Sequence, residues 1–197
     1  MELLHDSLIE LFFSLTPFLR NIFIFVMAFG EGLPIIGSFL PGGTIAILIG
    51  SLSVEGFISP WLAIHILAIG SLCGDLVGFT FGRYLLHIKW VHKIVYNEKH
   101  IKKWDIFDRH AALVIIFGKI VPVIRSMPAL FAGARKMNIS KYIVYVLIGS
   151  YMWAIAGVFG GKYLNQLFGD SIIVFVVGIL IITGLYALYA NRKKDSS

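Results

Sequence analysis

The sequence predicts an all-α integral membrane protein with inverted repeats, each containing a re-entrant helical hairpin plus transmembrane helices. Three observations predict this fold: the chain is too apolar for a soluble globule, one ten-residue motif occurs twice, and the basic residues are clustered. Of the 197 residues, 58% are hydrophobic and only 14% are charged, whereas about a quarter are charged in a typical soluble domain. The mean hydropathy is +0.85, so the chain is expected in a bilayer.

Four charge-free runs approach or exceed the length that a helix needs to cross roughly 30 Å of hydrocarbon. They lie at residues 32–54, 56–74, 142–161 and 171–191. From these runs and the repeats we predict four parts of the chain. These are N-terminal interfacial and membrane helices at 1–28, an inverted-repeat transport domain at 29–165, a C-terminal transmembrane helix at 166–191, and a basic cytoplasmic tail at 192–197.

The internal repeat is visible as two pairs of similar segments. Residues 29–38 return 88 positions later as residues 117–126, with Phe, Gly, Pro, Ile and Ser kept in register. Glu31 of the first copy is replaced by Lys119 in the second. A second pair, residues 69–85 and 148–164, shares Ile-Gly-Ser and Gly-Arg/Lys-Tyr-Leu. In so apolar a chain, such repeats are typical of transporters whose broken helices meet at the substrate site.

The basic residues set the predicted topology, because Lys and Arg near membrane segments stay in the cytoplasm. They cluster in residues 89–109, 135–141 and 192–194, which places these stretches and the C-terminus in the cytoplasm. Residues 142–164 then run outwards, and residues 61–86 run inwards. We therefore expect a multi-pass protein of the bacterial cytoplasmic (inner) membrane.

Two Pro- and Gly-rich segments do not fit as simple spans. Both ends of residues 111–134 lie in the predicted cytoplasm, so this segment is expected to form a re-entrant hairpin. Tracing the topology backwards, residues 31–44 form a second hairpin that enters from the external side. The residues predicted to form the hairpin turns are Pro34, Pro41, Gly42, Pro122 and Pro128. Glycines 70, 74, 78 and 82 form a stripe that predicts close helix packing.

Four ionisable residues lie in or beside these apolar segments, where charges are costly and usually functional. Lys119 and Arg125 suit a phosphate headgroup, because a guanidinium binds phosphate oxygens bidentately and an ammonium adds a point charge. Glu31 and Asp75 could carry protons and so couple phosphate movement to the proton gradient. The structural alternative is that each carboxylate simply pairs with one cation and holds the hairpins together.

Several function classes are not supported by the sequence. Cys73 is the single cysteine, so no intramolecular disulfide and no cysteine-based metal site is expected. We find no catalytic grouping, no metal-ligand spacing and no phosphate-binding glycine loop, and we predict a protein that is not an enzyme and holds no cofactor or metal. The net charge of +6 is explained by topology and does not indicate nucleic-acid binding.

The motifs together resemble the DedA family of membrane proteins, which is related to eukaryotic lipid scramblases that share its domain. The resemblance covers roughly residues 29–165. The residues that carry it are Glu31, Pro34, Pro41-Gly42, Gly70, Gly74-Asp75, Gly78, Gly82-Arg83, the segment 117–125, Ala132-Gly133, Met137, Trp153 and Gly160-Gly161-Lys162-Tyr163. In two places the chain departs from the family pattern: Gly43 stands where an acid is common, and Lys119 replaces the usual Arg.

The resemblance implies an inner-membrane protein that moves phospholipid or polyprenyl phosphate between leaflets with the proton gradient. Our first hypothesis is a lipid transporter for a phosphate-headgroup lipid, most concretely undecaprenyl phosphate. Its expected partners are this lipid, the bilayer and protons. The alternatives are a phospholipid scramblase, a proton-coupled ion or drug exchanger, and a lipid-phosphate phosphatase. The sequence leaves open a homo-oligomer, the transported lipid and the direction of transport.

Overall fold

The computed structural model describes residues 14, 16–34, 42–84, 89, 98–120, 125 and 127–169. Within these residues the fold is all-helical, as predicted. Its elements are α1 (Pro17–Gly32), α2 (Gly42–Leu52), α3 (Pro60–Tyr84), α4 (Glu98–Gly118), α5 (Met127–Ala134) and α6 (Ile139–Phe168). The predicted interfacial helix at the N-terminus, the predicted C-terminal span and tail, Pro41 and Pro122 lie outside the described residues.

Two of the described helices, α3 and α6, are long and apolar enough to cross a bilayer. They pack against each other and run antiparallel. Near one end of the pair Trp61 meets Phe159 edge to face at 5.6 Å, and towards the other Phe79 stacks on Tyr142 at 4.5 Å. This direction agrees with the opposite courses that the charge distribution predicts for the two segments.

The outer faces of these helices expose large apolar side chains. Ile69 on α3 is 45% exposed, and Val144 on α6 is 52% exposed. Phe18 and Val26 on α1 are also exposed. Isolated apolar side chains are common on soluble proteins, but such continuous faces mark a surface that contacts another apolar phase. The arrangement therefore suits a protein surrounded by lipid.

Local signals in the sequence fix several helix ends. Thr16 caps α1 by accepting a hydrogen bond from the Leu19 amide at 3.4 Å, and Pro17 follows at the first helical position, where its missing N–H costs nothing. Asn138 caps α6 by accepting from the Ser140 amide at 2.9 Å. Gly169 ends α6 with φ of 59°, a conformation that glycine adopts without strain.

The first predicted hairpin begins later than the sequence predicts. Helix α1 continues to Gly32, so Glu31 lies in its last turn and not at the start of a loop. The helix can continue because Gly32 and Gly74 lie face to face at the crossing of α1 and α3. A Cβ on Gly32 would lie 2.7 Å from the Ser71 carbonyl oxygen, so only glycine fits there.

The second predicted hairpin, residues 111–134, agrees with two described helical arms. Helix α4 is kinked at His110, so its straight part, Arg109–Gly118, is an apolar helix. Helix α5 supplies the returning arm, and all of its residues from Pro128 to Gly133 are buried. Whether either hairpin enters a bilayer and leaves on the same side stays a prediction.

Each hairpin is interlocked with the other half of the chain. The first arms, α1 and α4, pack on the long helix that follows them, α3 and α6 respectively. The second arms cross over: α2 packs on α6, and α5 packs on α3. The two halves therefore share one interior instead of forming two separate bundles.

Corresponding glycines in the two halves make corresponding contacts. A Cβ on Gly82 of α3 would lie 2.1 Å from the Leu130 carbonyl oxygen of α5, and one on Gly161 of α6 would lie 2.0 Å from that of Ile47 on α2. Three further pairs of glycines correspond in the same way. Gly70 contacts Ala28 as Gly149 contacts Ile116, Gly78 contacts Ala129 as Gly157 contacts Ala46, and Gly133 contacts Phe79 as Gly50 contacts Val158. The predicted role of the glycine stripe in close packing is confirmed.

The buried apolar side chains form two clusters at the two ends of the helix pair. One cluster includes Ile24, Ile49, Leu67 and Val158. The other includes Phe79, Ile115, Leu130, Tyr142 and Val146. Along α3, residue 75 falls between the two clusters, and along α6 residue 150 does the same. The polar residues described below therefore lie midway along the long helices.

The crossing of α2 and α6 can be tested with two adjacent glycines. Gly161→Ala places a methyl group against the Ile47 backbone, whereas a Cβ on Gly160 meets nothing within 4 Å. We expect Gly161→Ala to lower stability by about 1–3 kcal/mol through overpacking, and Gly160→Ala to leave it unchanged or raise it by up to about 1 kcal/mol. The measurement is thermal unfolding of the purified protein in detergent. Equal melting temperatures for the two variants would contradict this packing.

Candidate functional site

The four ionisable residues singled out from the sequence lie together in the interior. Glu31 is fully buried, and the exposed fractions of Asp75, Lys119 and Arg125 are 2%, 3% and 5%. They come from the end of α1, the middle of α3, and the segment between α4 and α5. We call these four residues the charge cluster. Its members come from both halves of the chain, so the cluster exists only when the two halves are packed together.

Within the charge cluster, each carboxylate pairs with one cation. Arg125 Nη1 forms an ion pair with Glu31 Oε1, and Lys119 Nζ forms one with Asp75 Oδ2. Charges taken out of water are tolerated only when they are paired in this way. This pairing is what we expect if the carboxylates only hold the hairpins together. It is equally what we expect of a phosphate site without its ligand, in which the carboxylates take the place of the phosphate.

Two serines at matching repeat positions complete the coordination of the cations. Lys119 Nζ donates to Ser71 Oγ at 2.8 Å and to Ser150 Oγ at 2.6 Å. Ser71 Oγ also accepts from Arg125 Nη2 at 3.3 Å. Ser71 therefore links the two ion pairs, while the Ser150 hydroxyl donates a hydrogen bond to the Val146 carbonyl oxygen at 2.7 Å.

Aromatic side chains close the site. The Arg125 guanidinium lies over the Trp153 ring at 4.5 Å from its centroid, a distance at which a cation is attracted by the ring face. The buried Tyr142 hydroxyl donates to the backbone carbonyl of Asp75 at 3.2 Å. Trp153 thus contributes to the burial of the Arg125 guanidinium.

One polar atom of the charge cluster is left without a partner. Glu31 Oε1 is paired with Arg125, but Glu31 Oε2 is buried and has no hydrogen-bond partner among the described residues. A carboxylate oxygen can accept two hydrogen bonds, and leaving it unsatisfied in an apolar interior is costly. Protonation of this oxygen or a hydrogen bond from a bound group would remove that cost.

Close helix packing brings these side chains within reach of one another. The glycine contact between Gly32 and Gly74 seats Glu31 beside the turn of α3 that carries Asp75. Gly149 lies against α4, where an added Cβ would be 3.3 Å from Lys119 Cδ. Small residues at both places let the backbones approach until short side chains such as Ser71 can reach the cations.

The residues predicted to form the hairpin turns are placed as follows. Pro34 is buried, and its Cγ lies 3.1 Å from where a Cβ on Gly78 would stand. Pro128 is buried in α5, with its Cγ 3.0 Å from the Cβ position of Gly118. Gly42 begins α2. Both described prolines thus pack against glycines, Pro34 against Gly78 within α3 and Pro128 against Gly118 at the end of α4.

Sequence reasoning missed Ser71, Ser150 and Trp153 as members of the site. The signal for the serines was present, because each is the third residue of a repeated Ile-Gly-Ser. A residue kept in both repeats beside a crossing glycine is a candidate for contact with the partner half. Trp153 has no counterpart in the repeat, since Gly74 occupies the matching position. Among the described residues, no three His, Cys, Asp or Glu side chains are grouped as a metal site requires.

The pairing of Lys119 with Asp75 can be tested by a double-mutant cycle. Lys119→Met leaves a buried carboxylate without its cation, so we expect a loss of about 3–5 kcal/mol. Adding Asp75→Asn to this variant removes the stranded charge and is expected to recover most of the loss. Thermal unfolding of the wild type, both single variants and the double variant gives the coupling. Additive losses would show that the two side chains do not interact.

Comparison with known proteins gives a consistent assignment. The VTT domain family matches residues 40–163. The chain is 24% identical to Protein DedA of Escherichia coli K12 over 167 residues, covering 81% of this chain and 76% of that protein. It is 26% identical to the inner membrane protein YabI of the same strain, covering 75% and 59% of the two chains.

A similar protein occurs in Bacillus subtilis as well. The chain is 23% identical to the uncharacterized membrane protein YbfM of Bacillus subtilis, over 68% of this chain and 85% of that one. No solved structure matches the chain. The matched domain includes Asp75, Lys119 and Arg125, and the pairing with Protein DedA covers 81% of this chain. The protein therefore belongs to the DedA family of VTT-domain membrane proteins.

Proposed function

We propose that this protein transports a phosphate-headgroup lipid, most concretely undecaprenyl phosphate, across the cytoplasmic membrane, and that protons drive the transport. The observation that carries the proposal is the charge cluster, in which two carboxylates and two cations from both halves of the chain lie buried midway along the long helices. Charges at this depth are usually part of a substrate or ion pathway.

A structural role alone explains the cluster less well. Buried ion pairs add little net stability, and apolar residues of similar size often hold a fold as well or better. Here the apolar clusters on both sides and the glycine crossings already fix the helices. The unsatisfied Glu31 Oε2 further reduces what the cluster can add to stability. A binding role gives these charges a reason to be present.

Phosphate binding follows from the donors that converge on one region. The Arg125 guanidinium and the Lys119 ammonium both donate hydrogen bonds to the Ser71 hydroxyl oxygen. A phosphate headgroup would replace the carboxylates as the partner of both cations. Trp153 shields the guanidinium from water and strengthens that interaction by lowering the local dielectric constant.

Proton coupling follows from the displaced carboxylates. When phosphate takes the two cations, Glu31 and Asp75 lose their counter-ions inside an apolar interior. An isolated carboxylate there gains a proton more readily than one in water. Binding of phosphate would thus be accompanied by proton uptake, and release of phosphate to the other leaflet by proton loss.

Alternating access follows from the inverted repeats. The antiparallel α3 and α6, the crossed second arms and the matched glycine contacts support a two-fold relation between the halves. If the hairpins are re-entrant and enter from opposite sides, the charge cluster lies where their tips meet. Small movements of one hairpin against the other would then open the cluster to one leaflet at a time.

The topology can be tested by cysteine labelling in cells, in a Cys73→Ala background. Val54 precedes α3 and Ser140 lies at the start of α6, and both are exposed. Because α3 and α6 are antiparallel, these positions lie at opposite ends of the helix pair. We expect an impermeant maleimide to label Val54→Cys in intact spheroplasts and Ser140→Cys only after permeabilisation. Labelling of both without permeabilisation would overturn the inverted topology.

Transport can be tested with the purified protein in liposomes. We expect Arg125→Ala to slow the movement of labelled undecaprenyl phosphate by at least about tenfold, because a charge-assisted phosphate contact is lost. The double exchange Glu31→Arg with Arg125→Glu serves as the control for folding. It keeps an ion pair but moves the cation to the other hairpin, so it should restore the melting temperature and not the transport rate. Recovery of both would favour the structural role.

A further inference from the structure

A cavity outside the charge cluster lies between α4 and α6. Its volume is about 540 Å³, which is in the range of small-molecule sites. It lies beside the kink of α4 at His110. Its polar lining includes Arg109, His110 and Lys141, with the Tyr145 ring beside them. None of the described lining residues is acidic.

The two permanent cations of this cavity are available for a ligand. Arg109 and Lys141 are both exposed, and neither forms an ion pair with a described residue. Two cations held on separate helices around one concave space repel each other unless an anion lies between them. The charge of the cavity therefore selects for an anionic group.

The surface that continues from the two cations towards the C-terminal ends of α4 and α6 exposes large apolar side chains. Leu113 and Phe117 follow Arg109 at intervals of four along α4, and their exposed fractions are 54% and 50%. On α6, Ile148 lies seven residues after Lys141 on the same helical face and is 45% exposed. A ligand that filled both regions would need an anionic head and an apolar tail.

We infer that this cavity binds the phosphate headgroup of a membrane lipid, with its acyl or prenyl chain along the exposed side chains of α4 and α6. The inference rests on the proposed function for what happens to the lipid afterwards. Lys119 lies ten residues beyond Arg109, just past the end of α4, which corresponds to about 15 Å by helical rise. The cavity is thus an initial binding site, from which a headgroup would move between α4 and α6 to the charge cluster.

Binding can be measured on the full-length protein in nanodiscs of neutral phosphatidylcholine, with short-chain fluorescent phosphatidic acid as the probe. Replacing both cations by Arg109→Gln and Lys141→Gln is expected to weaken binding by at least about tenfold. The matched control, Lys89→Gln with Lys162→Gln, removes the same charge from described residues that do not line the cavity. It should leave binding unchanged. Equal affinities of the two double variants would overturn the inference.

Two further measurements complete the experiment. The first distinguishes a lipid from free phosphate as the ligand, and the second distinguishes the cavity from the charge cluster. Inorganic phosphate at the probe concentration should not displace the lipid, and full displacement would overturn the assignment to a lipid. Arg125→Gln should keep binding at the cavity while losing transport. If Arg125→Gln abolishes probe binding and the cavity variant does not, the cavity inference fails alone. If the cavity variant loses binding but Arg125→Gln transports normally, the proposed function fails alone.

Discussion

Opposite charges that must stay paired in an apolar interior are the constraint on which this structure depends. Glu31 and Asp75 belong to the first half of the chain, and Lys119 and Arg125 to the second. Neither half can therefore bury its own charges without the other. The glycine crossings bring the helices close enough for the pairs to form, and Ser71 then joins both cations through one oxygen atom.

The same constraint explains why the cluster suits transport. Ion-paired side chains can exchange partners when a competing anion arrives, because each cation keeps an anionic partner throughout. The Glu31 oxygen that has no partner among the described residues and the Ser71 hydroxyl supply the hydrogen-bonding capacity for such an exchange. Apolar packing on both sides keeps the helices in place while the polar partners change.

Much of this arrangement could be predicted from the sequence, and the reasons are specific. The repeat located Glu31 and Lys119, the glycine stripe predicted a close crossing of α3, and the basic stretches predicted the opposite directions of α3 and α6. The sequence could not say which cation pairs with which acid, since that depends on how the crossing helices are rotated. It also could not reveal the cavity at His110, because a kink without Pro or Gly leaves no compositional signal.

The crossed second arms have a consequence for the origin of the fold. Each half donates α2 or α5 to the long helix of the other, which is the arrangement of two subunits that exchange an identical element. An ancestral protein equal to one half of this chain could insert into the membrane in both orientations. Two such copies, packed antiparallel as a dimer, would make all of the contacts between second arms and long helices that are seen here. Fusion of two such copies would leave the contacts unchanged and free the sequences to diverge. The sign change from Glu31 to Lys119 is an asymmetry that a fused chain can keep and a homodimer cannot, because both subunits of a homodimer carry the same residue at this position.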